Sequence, residues 1–352
     1  MKKRLLLLMA VIFGIIILLI VIVLYDFGAF RNPANSYTSS LLIEGVKGPE
    51  DITIDYELGV MFISSDDRRA RMRGKEVKGG IYTINLKDES LTPKKISPSL
   101  DFEFNPHGIS LYKGALGITR LFVINHRSTG HFIEIFDYKN GQLRHLESLT
   151  GPELKSPNDL VAVGIRAFYF TNDHGIEQGV KRLIADLLKQ GTASVGYFDG
   201  KSYRIVADQL DYANGINTSR DGDIVFVSET TGKKISAFQR SYTNGTLELL
   251  HSMDLNTGAD NIEINEDGSL LVAAHPNMLA FMRHAKDQKK NSPSQILHFS
   301  YSSIDGFTNI NEILTDDGTN LSGSSTAVYH GGRLFISNVF DPKILVVDLE
   351  LE

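Results

Sequence analysis

A pattern of two short strands recurs six times in this 352-residue chain and restricts its possible folds more than any other feature. In each copy, a polar residue stands two positions before the apolar residue that opens a strand. A turn and a second apolar strand follow, and the second strand ends in a small or polar residue. Successive copies lie 46 to 65 residues apart. The pairs that open the copies are Glu50 and Ile52, His107 and Ile109, Asn158 and Leu160, Asn214 and Ile216, Asp260 and Ile262, and Ser325 and Ala327.

Repeats that contain only strands predict a β-propeller. Turns of the hairpin type, such as Asp221-Gly222 and Gly331-Gly332, join the two strands in several copies. Blades of four strands fit this spacing, since ~320 residues after the N-terminal segment give about 53 residues for each of six blades. Helical periodicity between the strands is nearly absent, which argues against parallel βαβ units. We therefore predict an all-β fold, a six-bladed β-propeller over residues 31–352.

Two segments depart from the strand pattern. Between Ile176 and Gln190, apolar residues recur at helical spacing. This predicts an amphipathic helix inserted after the second strand of a blade and packed over one face of the disc. The segment from Asp66 to Lys78 contains six basic residues and no apolar periodicity. We interpret it as a solvated hairpin loop, with a mobile flap over a site as the alternative.

The N-terminus predicts attachment to a membrane. Lys2, Lys3 and Arg4 precede an unbroken apolar run from Leu5 to Leu24, and twenty residues at ~1.5 Å each span the ~30 Å hydrocarbon core of a bilayer. We interpret residues 1–30 as a transmembrane signal-anchor helix. By the positive-inside rule, the rest of the chain then faces the extracytoplasmic side, periplasmic or extracellular. A signal peptide cleaved at a weak site, Ala34-Asn35-Ser36, and a buried core helix are the alternatives.

Composition excludes several classes of partner and site. Lys and Arg number 36 against 42 Asp and Glu, and the net charge of -6 argues against nucleic acid as a partner. The chain has no Cys, which excludes thiolate metal sites, iron–sulfur clusters and thiol nucleophiles. The Gly-x-Ser-x-Gly motif does not occur, so a serine hydrolase of the α/β type is disfavoured.

The polar positions of the repeats are expected to meet. The innermost strand of each propeller blade lines the central axis, so equivalent positions of successive blades face one another. Five of the six copies carry a carboxylate, an amide or an imidazole at this position, and Asn261 adds a further amide. Carboxylate and amide oxygens without thiolates suit Ca²⁺. The pattern therefore predicts a calcium site on the axis, with a polar, water-filled channel as the alternative.

At these residues the sequence strongly resembles the paraoxonase/arylesterase family of six-bladed propeller lactonases. The resemblance covers about residues 41–350, and its motifs occur in the family's order. The motifs are Gly48-Pro49-Glu50-Asp51, Phe104-Asn105-Pro106-His107-Gly108-Ile109-Ser110, Val123-Ile124-Asn125-His126, Asn158-Asp159-Leu160-Val161-Ala162-Val163-Gly164, Thr171-Asn172-Asp173-His174, Ala213-Asn214-Gly215-Ile216-Asn217, Asp260-Asn261 and His275-Pro276-Asn277.

The resemblance implies two calcium ions and three functional histidines. His107 matches the family's proposed general base, His126 the histidine proposed to relay its proton, and His275 a histidine that lines the pocket. The implied ligands of the catalytic ion are Glu50, Asn158, Asn214, Asp260 and Asn261. The implied ligands of the structural ion are Asp51, Asp159 and the backbone carbonyl of Ile109.

The resemblance also implies a reaction, in which Ca²⁺ polarises the carbonyl of a small-molecule ester or lactone and a histidine activates water. Two family features are absent. Without the cysteine pair that ties the chain ends in animal members, ring closure must depend on strand pairing, and Ala274 replaces a free cysteine beside the pocket histidine. The alternatives are a gluconolactonase-type sugar-lactone hydrolase and a non-catalytic, calcium-stabilised binding propeller. The presence of His107 favours a catalytic site over the latter.

Overall fold

The computed structural model describes residues 2–176 and 179–351 and confirms the six-bladed β-propeller. Over these residues, four α-helices accompany 24 strands. The helices are α1 Lys2–Asp26, α2 Arg68–Met72, α3 Val180–Leu188 and α4 Met278–Lys286. The strands are β1 Leu41–Glu44, β2 Pro49–Asp55, β3 Val60–Ser65, β4 Gly80–Asn85, β5 Lys94–Lys95, β6 Pro106–Lys113, β7 Thr119–Arg127, β8 Gly130–Lys139, β9 Gln142–Leu149, β10 Pro157–Ala162, β11 Phe168–Asn172, β12 Ala193–Phe198, β13 Tyr203–Leu210, β14 Ala213–Thr218, β15 Ile224–Glu229, β16 Lys234–Arg240, β17 Leu247–Asp254, β18 Gly258–Ile264, β19 Leu270–His275, β20 Ser294–Ser302, β21 Gly306–Asp316, β22 Ser324–His330, β23 Arg333–Asn338 and β24 Lys343–Asp348.

Each blade is an antiparallel sheet of four strands. Five blades consist of four consecutive strands, from β2–β5 to β18–β21, and the first strand of each contacts the first strands of the neighbouring blades around the axis. Apolar side chains of adjacent blades pack face to face between the sheets, as in the cluster that joins Val161 and Tyr169 of the third blade to Ile216 and Val227 of the fourth. The core of the protein is therefore divided among the blade interfaces and surrounds a polar axis.

The sixth blade joins the two ends of the propeller domain. Its strands are β22, β23, β24 and β1, with β1 outermost. β1 pairs antiparallel with β24, so that Leu41 lies opposite Val346 and Ile43 lies opposite Ile344. Ile43 is buried in an apolar cluster that includes both of these partners from β24. Strand pairing thus closes the ring, as expected for a chain without cysteines.

All six inner strands are interrupted by a β-bulge at the same position. In β2 the register shifts between Pro49 and Ile52, and equivalent shifts occur in the other five inner strands. A bulge sets two residues of one strand against a single residue of its partner and redirects their side chains. In β2 the two residues are Glu50 and Asp51. The recurring polar positions of the sequence are therefore bulge residues.

Hydroxyl groups of the second strands hold four of the six bulges. In each of these blades, the single residue opposite the bulge accepts a hydrogen bond from a backbone N–H of the bulge. These hydroxyl residues are Ser64, Thr171, Ser228 and Ser337. Three of them also donate to a bulge carbonyl in the next blade: Thr171 to Asn214, Ser228 to Asp260 and Ser337 to Glu50. The small polar residues in these second strands thus connect neighbouring blades.

Two glycines allow the inner strands to approach closely. A Cβ atom at Gly108 would lie 2.7 Å from the carbonyl oxygen of Asn158, and one at Gly215 would lie 2.6 Å from the Cα atom of Asn261. Neither contact is possible for a residue with a side chain unless the backbone moves. The side chains before these glycines, His107 and Asn214, are thereby held close to the next blade.

The segment from Asp66 to Lys78 is a solvated loop only in its second half. Helix α2 occupies its first half, and the side chain of Asp67 caps α2 by accepting a hydrogen bond from the backbone N–H of Ala70. Arg68 and Arg69 are buried, and Arg68 donates to the backbone carbonyls of Gly48 and Pro106. For the first half of the segment, the interpretation as a solvated loop is wrong, because backbone carbonyls at the ends of two blades bind the guanidinium group of Arg68.

Helices α1 and α3 occur where the sequence patterns predict them, but the apolar face of α3 is not packed against the disc as expected, because Leu183, Ile184 and Leu188 are exposed. Helix α1 is long and apolar enough to span a membrane. Its most apolar stretch has a mean hydropathy of 3.6, and none of that stretch is buried. Helix α3 lies within the predicted range 176–190, of which Glu177 and Gln178 are outside the described residues. Asp186 attaches α3 to the third blade through a 2.8 Å bond to Nε2 of His174.

We expect Ile43→Ala to lower the free energy of unfolding by about 2–4 kcal/mol, because it leaves a cavity in the apolar cluster behind the closing strand. Leu41→Ala, in the same strand, is the matched control. Leu41 is exposed, so its truncation should cost less than about 0.5 kcal/mol. Urea unfolding followed by circular dichroism measures both changes. Equal losses would show that packing behind β1 does not contribute to ring closure.

Candidate functional site

Bulge side chains form a buried group of oxygen atoms on the propeller axis, which we name the axial cup. Its members are Glu50, Asn158, Asn214, Asp260 and Asn261, all of them buried. Glu50 Oε1 accepts hydrogen bonds from Asn261 Nδ2 and Ser325 Oγ, both at 3.0 Å. The hydroxyl of Ser325 also lies 3.3 Å from Asp260 Oδ2. Three blades therefore meet at the carboxylate of Glu50.

Four residues of the axial cup carry a buried oxygen that has no hydrogen-bond partner among the described residues. These atoms are Glu50 Oε2, Asn158 Oδ1, Asn214 Oδ1 and Asn261 Oδ1. In Asn214 and Asn261, Nδ2 donates to Thr230 and to Glu50, which fixes the amide so that Oδ1 stays free. A buried acceptor without a partner costs about 1–3 kcal/mol. Four such oxygens on neighbouring inner strands match the ligands of a hard cation such as Ca²⁺.

Negative charge is concentrated on the axis. Burial, with the charge of Glu50, raises the pKa of Asp51 well above its usual value. Burial, with the charge of Asp51, likewise raises the pKa of Asp159 well above its usual value. Burial also raises the pKa of Asp260. Glu50 differs: burial opposes its ionisation, but His107 and Arg68 together lower its pKa to about 2. A cation bound at the axis would relieve the repulsion between these carboxylates.

Arg68 supplies one positive charge next to the axial cup. Its Nη2 atom lies 3.8 Å from Glu50 Oε2, the oxygen that has no hydrogen-bond partner in the described part of the chain. The guanidinium is also anchored by the carbonyls of Gly48 and Pro106, so it is held in place by the backbone of two blades. Arg68 thus balances part of the charge of Glu50 without filling the hydrogen-bonding capacity of the cup.

The residues expected to bind the second ion lie deeper along the axis. Asp51 Oδ2 accepts a 2.6 Å bond from the backbone N–H of Ile109, and its Oδ1 accepts a 3.0 Å bond from Thr326 Oγ1. Asp159 accepts bonds from the backbone N–H groups of Leu160 and Ile216, at 2.7 and 2.8 Å. Asp51, Ile109 and Asp159 also line a common cavity of about 330 Å³. The two carboxylates are brought together, and each also ties its blade to the next one.

Three histidines form a row beside the axial cup. His107 Nε2 lies 3.5 Å from Glu50 Oε1, and His107 Nδ1 lies 2.8 Å from His126 Nε2. The other ring nitrogen of His126 lies 2.8 Å from Nδ1 of His131. Burial, with the nearby His107 and His131, lowers the pKa of His126 well below its usual value, and burial lowers that of His131. Both rings are therefore neutral at pH 7, as hydrogen bonding along the row requires.

His275 lies behind the axial cup, at the base of α4. Its Nε2 atom is 2.9 Å from Asp260 Oδ2. Its ring stacks on Phe281 of α4, with ring centroids 3.9 Å apart. Only 2% of the residue is exposed. These contacts fix the orientation of the Asp260 carboxylate and place His275 behind this cup residue.

Comparison with known proteins gives the family. A sequence model described as Arylesterase matches residues 37–349. Over 339 residues the chain is 31% identical to serum paraoxonase/arylesterase 1 of Homo sapiens. This alignment covers 88% of the present chain and 93% of the human protein. The chain belongs to the paraoxonase/arylesterase family.

A further relative and a solved structure are also similar to this chain. Serum paraoxonase/lactonase 3 of Oryctolagus cuniculus is 29% identical over 316 residues, 87% of this chain and 88% of that one. Among solved structures, the calcium-binding protein regucalcin from Agrobacterium tumefaciens aligns with a TM-score of 0.51 at 14% identity, over 90% of this chain and 96% of that one. The structural likeness supports the propeller fold.

For this paraoxonase/arylesterase family member, the predicted site residues fall into two groups. The five predicted ligands of the first ion occupy the axial cup, with His107 and His126 beside it. Asp51, Ile109 and Asp159 meet in the cavity below, where the backbone N–H of Ile109 is bound to Asp51. His275 contacts the cup through Asp260.

The sequence pattern missed several residues of the site. Ser325 could have been found, because it occupies the sixth equivalent repeat position and binds both carboxylates of the cup. His131 faces His126 across the β7–β8 hairpin, where the two residues are register partners. The only signal for His131 in the sequence was that two histidines, His126 and His131, flank a short turn. Arg68 had none, because its segment lacks periodicity and its partners are backbone carbonyls distant in sequence.

Proposed function

We propose that this protein is a calcium-dependent hydrolase of lactones and aryl esters. The observation that carries the proposal is the axial cup, where four buried oxygens lack hydrogen-bond partners among the described residues and a histidine lies 3.5 Å from the Glu50 carboxylate. Relatives named arylesterase and lactonase support hydrolysis of a small-molecule ester or lactone. The match to the Arylesterase family model also supports this proposal, because the match covers residues 37–349, nearly the whole propeller.

In this proposal, all five residues of the axial cup hold the catalytic calcium ion. An ion held by these residues would supply Lewis-acid polarisation of the substrate carbonyl and stabilisation of the oxyanion. Glu50 and Asp260 are the only charged ligands, so the ion keeps its attraction for the carbonyl oxygen. The bond from His275 holds the Asp260 carboxylate in the orientation that binding requires.

His107 acts as the general base of the proposed reaction. Its Nε2 atom takes a proton from the attacking water, and the proton is later donated to the leaving oxygen of the ester or lactone. His126 holds the ring through Nδ1 at 2.8 Å and shares the positive charge that develops. His107 and His126 are thus proposed as the base and its relay partner.

A second, structural ion is proposed at Asp51, Asp159 and the backbone carbonyl of Ile109. The raised pKa values of both carboxylates support this, since each is buried close to other negative charges. The shared cavity supplies the space. Because both aspartates also accept backbone hydrogen bonds from neighbouring blades, an ion here would stabilise the arrangement of the blades.

We propose that residues 1–30 anchor the catalytic domain, residues 31–352, at the extracytoplasmic face of a membrane. The end of α1 is attached to the propeller: Asp26 forms an ion pair with Lys233 at 2.7 Å, and the backbone carbonyl of Phe27 accepts a bond from Met278 at 3.1 Å. Met278 begins α4, the helix that covers His275. This attachment supports a site close to the bilayer surface, where apolar esters accumulate.

We expect Glu50→Gln and Asp260→Asn each to remove most of the lactonase activity, because each deletes one of two charged ligands. The calcium concentration needed for half-maximal activity should rise in both variants. Glu57→Gln is the matched control, since Glu57 carries an exposed carboxylate outside the axial cup. Calcium titrations with an aliphatic lactone and an aryl acetate measure the effect. Wild-type activity in both variants at limiting calcium would refute the ligand assignment.

Removing calcium with a chelator should lower the melting temperature, because an ion that binds only the folded state stabilises it by mass action. The stabilisation is about 2.7 kcal/mol when the free ion concentration is a hundred times the dissociation constant. In Asp51→Asn the protein should melt earlier and respond less to chelator. Glu50→Gln should keep most of the response, because Glu50 belongs to the other site. Differential scanning calorimetry with and without chelator tests this. A melting curve that chelator leaves unchanged would exclude a structural calcium ion.

His107→Gln should lower turnover by about 10²–10⁴-fold, the usual contribution of a general base, and leave calcium affinity nearly unchanged. Aliphatic lactones should be affected more than activated aryl esters, because their poorer leaving groups need more assistance. The ratio of the two rates in wild type and variant measures this difference. Near-native rates on both substrates would mean that His107 only forms part of the pocket wall.

A further inference from the structure

A short segment ties the end of α1 to the start of α4, and we name its residues 27–31 the strap. The backbone carbonyl of Phe27 accepts a 3.1 Å hydrogen bond from the N–H of Met278. The carbonyl of Arg31 accepts a 3.3 Å bond from Asn277 Nδ2. Phe27 itself is buried. The strap therefore lies along the first residues of α4, just after the end of β19.

The strap also contacts the loop that leads into β18. Arg31 Nη1 donates to the backbone carbonyl of Asn256 at 2.5 Å. Met278 packs against Gly258, the first residue of β18, where a Cβ atom would lie 3.0 Å from Met278 Sδ. Strand β18 carries Asp260, a residue of the axial cup. The strap thus joins the chain before β18 to the chain after β19, at the end of the fifth blade that carries a proposed ligand.

Gly28 allows the strap to approach the start of α4 this closely. Its φ angle is +70°, in the left-handed region that favours glycine. A Cβ atom at this position would lie 2.0 Å from the carbonyl oxygen of Pro276, so the backbone would have to move. Pro276 directly follows His275 in the sequence. A side chain at position 28 is therefore incompatible with the present position of the strap.

The strap also completes the first turn of α4. The first N–H groups of a helix have no partner within the helix. In α4, the carbonyl of Phe27 accepts from Met278, and Oδ1 of Asn277 accepts from the N–H of Ala280 at 2.9 Å. The side chain of Asn277 thus caps the helix with its oxygen while its nitrogen binds the strap. The position of α4 therefore depends on the strap.

Helix α4 in turn orients His275. Phe281 of α4 stacks on this ring with centroids 3.9 Å apart, and Nε2 of the ring lies 2.9 Å from Asp260 Oδ2. Nδ1 of His275 is buried and has no hydrogen-bond partner within the described ranges. The orientation of the ring therefore depends on the stack with α4 and on the bond to Asp260.

We propose that the strap is a positioning segment for calcium binding, which holds α4 so that Phe281 and His275 keep the Asp260 carboxylate directed into the axial cup. The proposal rests on the calcium site of the proposed function and extends that site to the segment that follows the membrane helix. The strap acts on the affinity of the cup for its ion, because a ligand that is already held in place loses less freedom on binding.

Gly28→Ala tests the strap, because its Cβ atom must push the strap away from Pro276. Isothermal titration calorimetry of the full-length protein in detergent measures calcium binding directly. We expect the dissociation constant of the ion in the axial cup to rise about tenfold, the lower end of the usual cost of losing a contact behind a metal ligand. The ion proposed at Asp51 and Asp159 should keep its affinity, which shows that the propeller is folded. Gly14→Ala is the matched control, since a Cβ atom there would meet no atom within 4 Å outside its own stretch of α1.

Asn277→Ser is a second test, which decides the question if Gly28→Ala does not fold. Serine can cap α4 in place of asparagine, but it has no nitrogen that could bind the carbonyl of Arg31. The ion in the axial cup should bind about two- to tenfold more weakly, the range expected for one lost hydrogen bond. Wild-type affinity in every strap variant that folds would overturn the proposal.

His275→Leu shows whether the strap acts through the histidine. This substitution removes the bond to Asp260 and should weaken binding of the ion in the axial cup by about 10–100-fold. In the His275→Leu background, Gly28→Ala should change the affinity by less than about twofold, because substitutions that act through the same contact are not additive. A further tenfold loss in the double variant would overturn the proposed route through His275.

Calcium binding also separates this proposal from the proposed function. A wild-type protein that binds calcium in the axial cup but hydrolyses neither lactones nor aryl esters would refute the hydrolase function. The affinities of the variants would still decide the role of the strap. A wild-type protein that hydrolyses both substrates, while the strap variants keep wild-type calcium affinity, would refute only the role of the strap.

Discussion

The β-bulge shared by the six inner strands is the constraint on which the rest of this structure depends. A regular strand would direct consecutive side chains to opposite faces, and the polar pairs Glu50-Asp51 and Asn158-Asp159 would then separate. The bulge instead keeps both members of each pair near the axis. It also leaves backbone groups without ladder partners. In four blades a serine or threonine of the second strand accepts a hydrogen bond from a backbone N–H of the bulge. Three of these hydroxyls also donate to a bulge carbonyl in the next blade. The same hydroxyls therefore maintain both the site and the packing between blades.

Gathering these side chains at an axis produces an electrostatic problem. Burial and mutual repulsion raise the pKa values of Asp51, Asp159 and Asp260. Part of the charge is balanced by groups that belong to the chain, namely Arg68 beside Glu50 and backbone N–H groups at both deeper aspartates. Four oxygens of the axial cup have no hydrogen-bond partner among the described residues, which supports the divalent cation proposed there. The calcium ions proposed for this axis would therefore serve stability as well as chemistry.

The three histidines of the row are separate from the oxygen atoms of the axial cup. His107 approaches Glu50 only to 3.5 Å, whereas its bond to His126 is 2.8 Å long. The row of rings lies within the second blade, where His126 and His131 are partners across the β7–β8 hairpin. This separation allows His107, the proposed base, to be positioned by its own neighbours. The attached end of α1 and helix α4 lie at His275, on another side of the cup.

The sequence alone determined the fold class, because the six repeats, their spacing and the hairpin turns are local patterns that only a strand architecture satisfies. It also determined the apolar N-terminal helix and the polar residues that line the axis, since each of these is encoded by neighbouring residues or by a repeat period. The family resemblance added roles for individual residues. Only the tertiary structure decided which oxygens remain free, because that depends on bonds such as Asn214 to Thr230 and Asn261 to Glu50, which join residues distant in sequence. For the same reason, the burial of Arg68 and the third histidine of the row could not be read from the sequence. Arg68 is fixed by carbonyls of two blades, and the contact of His131 with His126 depends on a hairpin register.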